Sequence, residues 1–120
     1  VYALLGYTEK PQLEIKLTLD SDVLKLGEEQ TFQIQLTSTA KKPQKLLIDY
    51  AIYFMKANGQ QSAKVFKLKT LELGKGEWVT LEKTHRFVTL STRRYYPGEH
   101  KIEVKINGLS FGKEAFQLNT

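Results

Sequence analysis

The sequence has no cysteine, and it contains only two histidines, three prolines and one tryptophan among 120 residues. Without cysteine the chain can form no disulfide, offers no thiolate to a metal ion and has no cysteine nucleophile. Its apolar runs are far shorter than the 18 or so residues that a membrane-spanning helix needs. These absences exclude several classes of protein and favour one globular domain, since domains usually contain about 100–200 residues.

Lysine, by contrast, is abundant and unevenly distributed. The net charge is +5, yet residues 1–40 carry six acidic residues against three lysines. Residues 41–71 carry seven lysines against Asp49 alone. A basic segment of this kind indicates either an anionic partner or a solvated face that protects sheet edges from pairing with other chains.

Apolar and polar residues alternate along most of the chain, which predicts half-buried strands. The apolar run at 46–55 predicts a central strand, and Asn107-Gly108 predicts a two-residue hairpin turn, since a type I′ turn needs two positive φ angles. Gly112 predicts a bulge in the strand that follows. About seven strands without an internal helix predict an all-β fold, an immunoglobulin-like or fibronectin III-like antiparallel β-sandwich. Trp78 within one strand fits this architecture.

Residues 1–6 differ from the rest of the chain. An apolar run that ends at Gly6 predicts the last turn of a helix, because glycine readily adopts the left-handed conformation that ends helices. A short first strand is the alternative. We therefore divide the chain into the end of a preceding helix with its linker, residues 1–10, and a β-sandwich domain, residues 11–120.

Catalytic candidates are few. His85 and His100 both fall on the apolar side of predicted strands, which favours a place in the core over a role as general base. Ser91, either histidine and Asp49 could compose a Ser-His-Asp set, but no nucleophile-elbow motif surrounds the serine. We therefore assign no catalytic residue and expect that the chain is not an enzyme by itself.

The sequence also predicts no metal site and no cofactor. Asp20 and Asp22 could contribute to calcium binding, but the glycine and the terminal glutamate of an EF-hand loop are absent. The pair is more typical of a turn. No glycine-rich loop stands between a strand and a helix, where it could hold a phosphate group.

Asp49 and the segment 93–96 carry the most specific local signals. A carboxylate inside an apolar run needs a partner, so we expect Asp49 to form a structural salt bridge with Lys64 or with Arg93 or Arg94, or to anchor a turn. A functional carboxylate is the alternative. The segment Arg-Arg-Tyr-Tyr could bind phosphates and stack on bases. Internal ion pairs and packing between domains are the alternatives, because arginine and tyrosine are also enriched at protein interfaces.

Several motifs together resemble one known family. They are Leu-Ile-Asp-Tyr at 47–50, Phe-Met-Lys-Ala-Asn-Gly at 54–59, Lys-Val-Phe-Lys-Leu-Lys at 64–69, Thr-Arg-Arg at 92–94 with Tyr-Pro-Gly-Glu-His at 96–100, and Val-Lys-Ile-Asn-Gly at 104–108. With them the chain resembles the C-terminal immunoglobulin-like domain of bacterial HEAT-repeat DNA alkylation repair proteins. Leu-Leu-Gly-Tyr at 4–7 resembles the junction where the last repeat helix leaves the α-solenoid of those proteins.

The resemblance implies that the glycosylase-like repeat domain, with its catalytic residues, lies outside these 120 residues. We therefore expect a non-catalytic, cytoplasmic accessory domain of a DNA repair protein, with neither membrane contact nor small-molecule cofactor. Its first partner would be the helical-repeat domain of the same chain.

From the charge distribution we also expect a sequence-independent DNA-backbone face. The residues assigned to it are Lys56, Lys64, Lys67, Lys69, Arg93 and Arg94. The alternative function is a protein–protein interaction module without nucleic-acid contact, which a scattered distribution of basic residues would favour. A carbohydrate-binding or adhesion sandwich would need a row of exposed aromatic residues, for which Tyr53, Tyr95 and Tyr96 are the candidates.

Overall fold

The chain folds into strands joined by short turns. The computed structural model describes residues 8, 10–87 and 96–119, and no helix occurs among them. The eight strands are β1 (Leu13–Leu19), β2 (Val23–Lys25), β3 (Glu29–Ser38), β4 (Gln44–Met55), β5 (Gln61–Leu73), β6 (Trp78–Arg86), β7 (Gly98–Ile106) and β8 (Leu109–Asn119). The predicted all-β fold is confirmed. The helix end expected over residues 1–6 lies outside the described residues.

The strands form two sheets that pack face to face. One sheet has the order β1-β3-β6 and the other the order β2-β8-β7-β4-β5. Neighbouring strands are antiparallel except for β2 and β8, which are parallel. This arrangement is the predicted immunoglobulin-like or fibronectin III-like sandwich, with β5 at one edge of the larger sheet and β2 at the other.

The core lies between the inner faces of the two sheets. Every second residue of β3 and of β4 is buried there because side chains alternate between the faces of a strand. The Phe32 ring of β3 meets the Tyr50 ring of β4 edge-on, with 5.1 Å between centroids. Each large apolar side chain buried in this way contributes about 1.5–3 kcal/mol to folding.

The position of β4 inside its sheet and the turn at Asn107-Gly108 both agree with the sequence pattern. β4, which contains the apolar run, pairs with β5 on one side and with β7 on the other. Asn107 and Gly108 have φ angles of 51° and 82° and join β7 to β8 in a two-residue turn. The β7–β8 register shifts beside Gly112, where the bulge was predicted.

Two features differ from expectation. β2 is an additional strand of three residues, too short for an alternating pattern to show in the sequence, and only Leu24 of it is buried. Trp78 lies in β6 but is 66% exposed, so it is not a core tryptophan of the kind found in antibody domains.

Candidate domain junction and lysine surfaces

Residues 8 and 10–12 precede β1, and we call this segment the linker. Thr8 attaches it to the beginning of β4. Its backbone N–H donates to the Lys45 carbonyl over 3.1 Å. The Lys45 N–H in turn donates to the Thr8 hydroxyl oxygen, also over 3.1 Å. This reciprocal pair places the linker alongside β4 before the chain enters β1.

Asn107 reinforces this attachment from the β7–β8 turn. Its side-chain amide donates to the carbonyls of Thr8, over 2.6 Å, and Lys45, over 3.2 Å. The side-chain oxygen accepts from the Leu47 N–H over 2.7 Å. Asn107 is only 4% exposed, and an unmade hydrogen bond at such a site would cost about 1–3 kcal/mol. Asn107 therefore supplies one of the two positive φ angles of the turn and also holds the linker with its side chain.

A second buried side-chain amide, that of Gln44, holds the linker at Gln12. The Gln12 N–H donates to the Gln44 side-chain oxygen over 2.7 Å, and the Gln44 amide donates to the Gln12 carbonyl over 2.9 Å. The same amide donates to the Ser38 hydroxyl over 2.8 Å. Asn107 and Gln44 thus bind the linker at Thr8 and at Gln12, four residues apart.

The lysines assigned from the sequence lie at or beside the β5 edge of the larger sheet. Lys56 follows β4, in the turn closed by a 2.7 Å bond from its N–H to the Gln60 carbonyl. Lys64, Lys67 and Lys69 lie on the edge strand β5, and all four side chains are exposed. Arg93 and Arg94 lie outside the described residues.

Lys64 and Lys67 lie on opposite faces of β5. Lys64 pairs with Ile52, which is fully buried in the core, and its ammonium lies 5.4 Å from the Phe66 ring centroid. Lys67 pairs with Asp49 on the outer face of the sheet. Directly paired residues project to the same face, so these two lysines do not share one flat surface.

The predicted salt bridge between Asp49 and Lys64 is wrong, because the two side chains lie on opposite faces of the sheet. Lys67 on β5 and Lys105 on β7 are its paired neighbours across the two ladders. One carboxylate oxygen is buried and has no hydrogen-bond partner among the described residues. Burial raises the pKa of the Asp49 carboxyl above its usual 3.8, although the ammonium groups of Lys67 and Lys105 oppose the shift.

Glu103, on the same outer face, is the centre of a polar cluster. Tyr53 donates to one carboxylate oxygen over 2.9 Å, and Ser110 donates to the other over 2.7 Å. The ammonium groups of Lys113 and Lys105 lie 3.8 and 4.0 Å away. Burial disfavours the charged form, but these four groups outweigh it and lower the pKa of Glu103 below its usual value. No local motif in the sequence predicts this cluster, because its members come from the three strands β4, β7 and β8.

Both histidines pack among aromatic rings, as their places on the apolar side of the strands predicted. His85 is half-buried beside the rings of Phe66 and Phe87. His100 is fully buried, its ring contacts Phe54, Phe87 and Phe116, and its Nδ1 lies 3.2 Å from the Gly98 carbonyl. Asp49 projects from the opposite face of the sheet, so it cannot join His100 in a catalytic set. Ser91 lies outside the described residues.

Neither a metal centre nor a membrane segment emerges from the part of the chain that the structure describes. No three histidine or acidic side chains there converge on one point. None of its segments forms a helix with the length and apolarity needed to cross a bilayer. Asp22 lies in a turn, where its carbonyl accepts from the Gln117 N–H over 2.8 Å.

Residues 14–120 match the family model described as "Uncharacterised protein YhaZ, C-terminal Ig-like domain". The chain is 36% identical over 107 residues to the uncharacterized protein YhaZ of Bacillus subtilis strain 168. That match covers 88% of this chain and 29% of the relative.

Among solved structures, the alkylpurine DNA glycosylase AlkC of Pseudomonas fluorescens, bound to DNA containing an abasic site analog, superposes with a TM-score of 0.95. The identity is 38%, and the match covers 99% of this chain and 33% of AlkC. A β-glucosidase of Listeria innocua matches with a TM-score of 0.70 at 17% identity, over 92% of this chain and 17% of its own, which shows a shared fold alone. This chain therefore spans about a third of the length of YhaZ and of AlkC.

Proposed function

Since this chain belongs to the family of the YhaZ C-terminal Ig-like domain, we propose that it is a non-catalytic accessory domain of a DNA alkylation repair protein. The observation that carries the proposal is the likeness to AlkC, which extends over 99% of this chain. AlkC is a DNA glycosylase, and the matched part is only a third of it. The catalytic work would then belong to a helical-repeat domain elsewhere in the longer protein.

The clamped linker supports a role in domain positioning. Thr8 and Gln12 are each held by a buried amide, so this part of the chain is fixed on the sandwich. A preceding domain joined through this linker would pack on the sandwich in a defined orientation rather than swing freely. The accessory domain would thereby set the position of its own charged surface relative to the repeat domain.

A contact with the DNA backbone is the second part of the proposal. The exposed lysines of β5, which are Lys64, Lys67 and Lys69, could together with Lys56 neutralise phosphates without reading sequence. Arg93 and Arg94 belong to the same proposal on the strength of the sequence. A cytoplasmic location goes with it, because bacterial DNA lies there.

A titration tests this function. Short duplex DNA labelled with a fluorophore is mixed with the 120-residue chain, and its anisotropy is followed between about 50 and 200 mM salt. We expect weak, sequence-independent binding that falls steeply as salt rises. An absence of binding at low salt, or binding that does not respond to salt, would refute the DNA contact.

The non-catalytic assignment has its own test. The chain is incubated with methylated DNA, and the release of alkylpurine bases is measured beside a functional glycosylase as positive control. We expect no release above background. Turnover by the chain alone would overturn the assignment whatever its affinity for DNA.

A protein–protein interaction module is the second candidate. The observation that favours it is the placement of Lys64 and Lys67 on opposite faces of β5, which divides the basic residues between two surfaces. In that case the titration detects no DNA binding, while the purified helical-repeat domain, supplied as a separate chain, still binds the sandwich.

A further inference from the structure

A cleft of about 550 Å³ opens beside the linker, at the end of the sandwich where β4 begins. We call it the linker cleft. Its walls come from the linker and from the β3–β4 loop, and they include Thr8, Lys10, Gln12, Thr39, Lys41 and Lys42. None of the lysines of this cleft is among the residues assigned from the sequence.

The charged side chains that the structure describes in the linker cleft are all lysines. Lys10, Lys41 and Lys42 are exposed, and none of them forms an ion pair with a described residue. The described lining contains no carboxylate, while Thr8, Gln12 and Thr39 add polar groups. Three ammonium groups around one concave surface are complementary to a phosphate, and their mutual repulsion is relieved when an anion binds.

The walls of the linker cleft are held in place before any ligand arrives. The buried Gln44 amide ties Gln12 on one wall to Ser38 on the other. Pro43 restricts the backbone of the loop between them, since its ring fixes φ. A preformed site loses little ordering entropy when it binds a ligand.

An exposed indole lies at the same end of the molecule. Trp78 pairs with Thr37, two residues before Thr39 of the cleft, and the Ser38 N–H donates to the Glu77 carbonyl over 2.9 Å. A tryptophan that is two-thirds exposed is unusual, and an exposed aromatic ring beside positive charge is a feature of nucleic-acid surfaces.

We infer that the linker cleft binds phosphate groups of a nucleic-acid backbone and is the principal anion site of the domain. The inference rests on the proposed function and assigns the larger part of its DNA contact to the cleft lysines, so that Lys56, Lys64, Lys67 and Lys69 contribute less. Because the linker runs along the cleft, the site lies where the preceding domain joins the sandwich. DNA held by that domain could therefore extend across the junction.

The test compares two double variants with equal loss of charge. K41Q/K42Q removes two cleft lysines, and K56Q/K64Q removes two lysines near the other end of β4. β4 has 12 residues, so at the usual rise per residue its ends lie roughly 36 Å apart. All four lysines are exposed, and we expect both variants to melt at nearly the wild-type temperature.

We expect K41Q/K42Q to weaken binding of short duplex DNA about tenfold or more at low salt and to reduce the salt slope by about 1.8. For K56Q/K64Q we expect the affinity for the same DNA to fall by less than about threefold. Trp78 is the only tryptophan of the chain, so its fluorescence reports on this end of the sandwich. DNA should change the emission of the wild type and of K56Q/K64Q, but not that of K41Q/K42Q at the same concentration.

The outcomes separate the two proposals. If the wild type binds in a salt-dependent way but K56Q/K64Q loses as much DNA affinity as K41Q/K42Q or more, the linker cleft is not the principal anion site. The proposed DNA-binding function is then unaffected. Wild-type protein that shows no salt-dependent binding would overturn both.

Discussion

Glu103 and Asp49 are acidic residues on the outer face of the same sheet, on the neighbouring strands β7 and β4, and their surroundings act on them in opposite directions. Glu103 receives hydrogen bonds from Tyr53 and Ser110 and lies within 4.0 Å of two ammonium groups. Asp49 faces two lysines as well, but one of its oxygens is buried and has no hydrogen-bond partner in the part of the chain that the structure describes. The pKa of Glu103 is lowered, whereas that of Asp49 is raised.

The difference shows that nearby positive charge does not compensate a buried carboxylate by itself. Lys67 and Lys105 attract Asp49, yet burial has the larger effect on its pKa. At Glu103 burial is again the largest single influence, and it is overcome only because hydrogen bonds and charges act together. Polar groups inside this domain therefore stabilise it when they are fully hydrogen-bonded and destabilise it when they are not.

Removing Glu103 should cause the largest loss of stability. In Glu103→Ala the Tyr53 and Ser110 hydroxyls lose their acceptor, and the ammonium groups of Lys105 and Lys113 lose the carboxylate that they pair with. We expect the free energy of unfolding in urea to fall by about 3 kcal/mol, since hydrogen bonds to charged groups contribute about 1.5–3 kcal/mol each and the lysines remain partly solvated.

Glu99→Ala is the matched control for Glu103. Glu99 pairs with Lys101 on the same strand over 3.4 Å, but it is more than half exposed. An exposed pair contributes about 0.2–1 kcal/mol, so the loss should be within that range. Equal losses in the two variants would show that the hydrogen bonds of Glu103 contribute nothing beyond an ordinary surface ion pair.

His100 extends the comparison to a buried base. Its Nε2 has no hydrogen-bond partner among the described groups, and burial lowers its pKa below the usual 6.5, against the opposing bond to the Gly98 carbonyl. The unfolded chain therefore takes up a proton before the folded protein does. Stability should be complete above about pH 6.5 and fall below it by up to about 1.4 kcal/mol per pH unit.

Urea unfolding at a series of pH values between about 7 and 5 measures this slope. In His100→Leu the group that titrates is absent, so the slope over the same range should largely disappear, even if the variant is less stable at every pH. A wild-type slope that persists unchanged in His100→Leu would assign the pH dependence to other groups.

The sequence predicted the architecture because most of the strands carry their own pattern. Alternation in β1, β3 and β7, the apolar run in β4 and the Asn107-Gly108 turn are local signals, and each corresponds to a feature of the fold. β2 carries no such signal, because a strand of three residues is shorter than the pattern that would reveal it. Its place depends on β8, more than 80 residues further along the chain.

The candidate sites could be predicted only in part, because they depend on which distant residues meet. The sequence shows that Asn107 belongs to a turn, but its bond to Thr8 joins residues 99 positions apart. It shows an excess of lysines in residues 41–71, but it cannot divide them between the linker cleft and the two faces of β5. The partners of Asp49 depend on a shift of the β4–β5 register between Ile48 and Asp49, which no local motif predicts.

That shift of register gives the last and smallest prediction, at Asp49. Because its pKa is raised in the folded state, stability decreases as the pH rises through the window that begins at the unfolded value of 3.8, the opposite of the trend expected for Glu103. Asp49→Asn removes the buried charge, so we expect a gain of about 0.5–1 kcal/mol at pH 7 that vanishes below about pH 3.8. Asp22→Asn, at an exposed turn, is the control and should change stability by less than about 0.5 kcal/mol at either pH. A loss of stability in Asp49→Asn at pH 7 would mean that attraction to Lys67 and Lys105 outweighs the cost of burying Asp49. The charged forms of Asp49 and Glu103 would then both stabilise the fold.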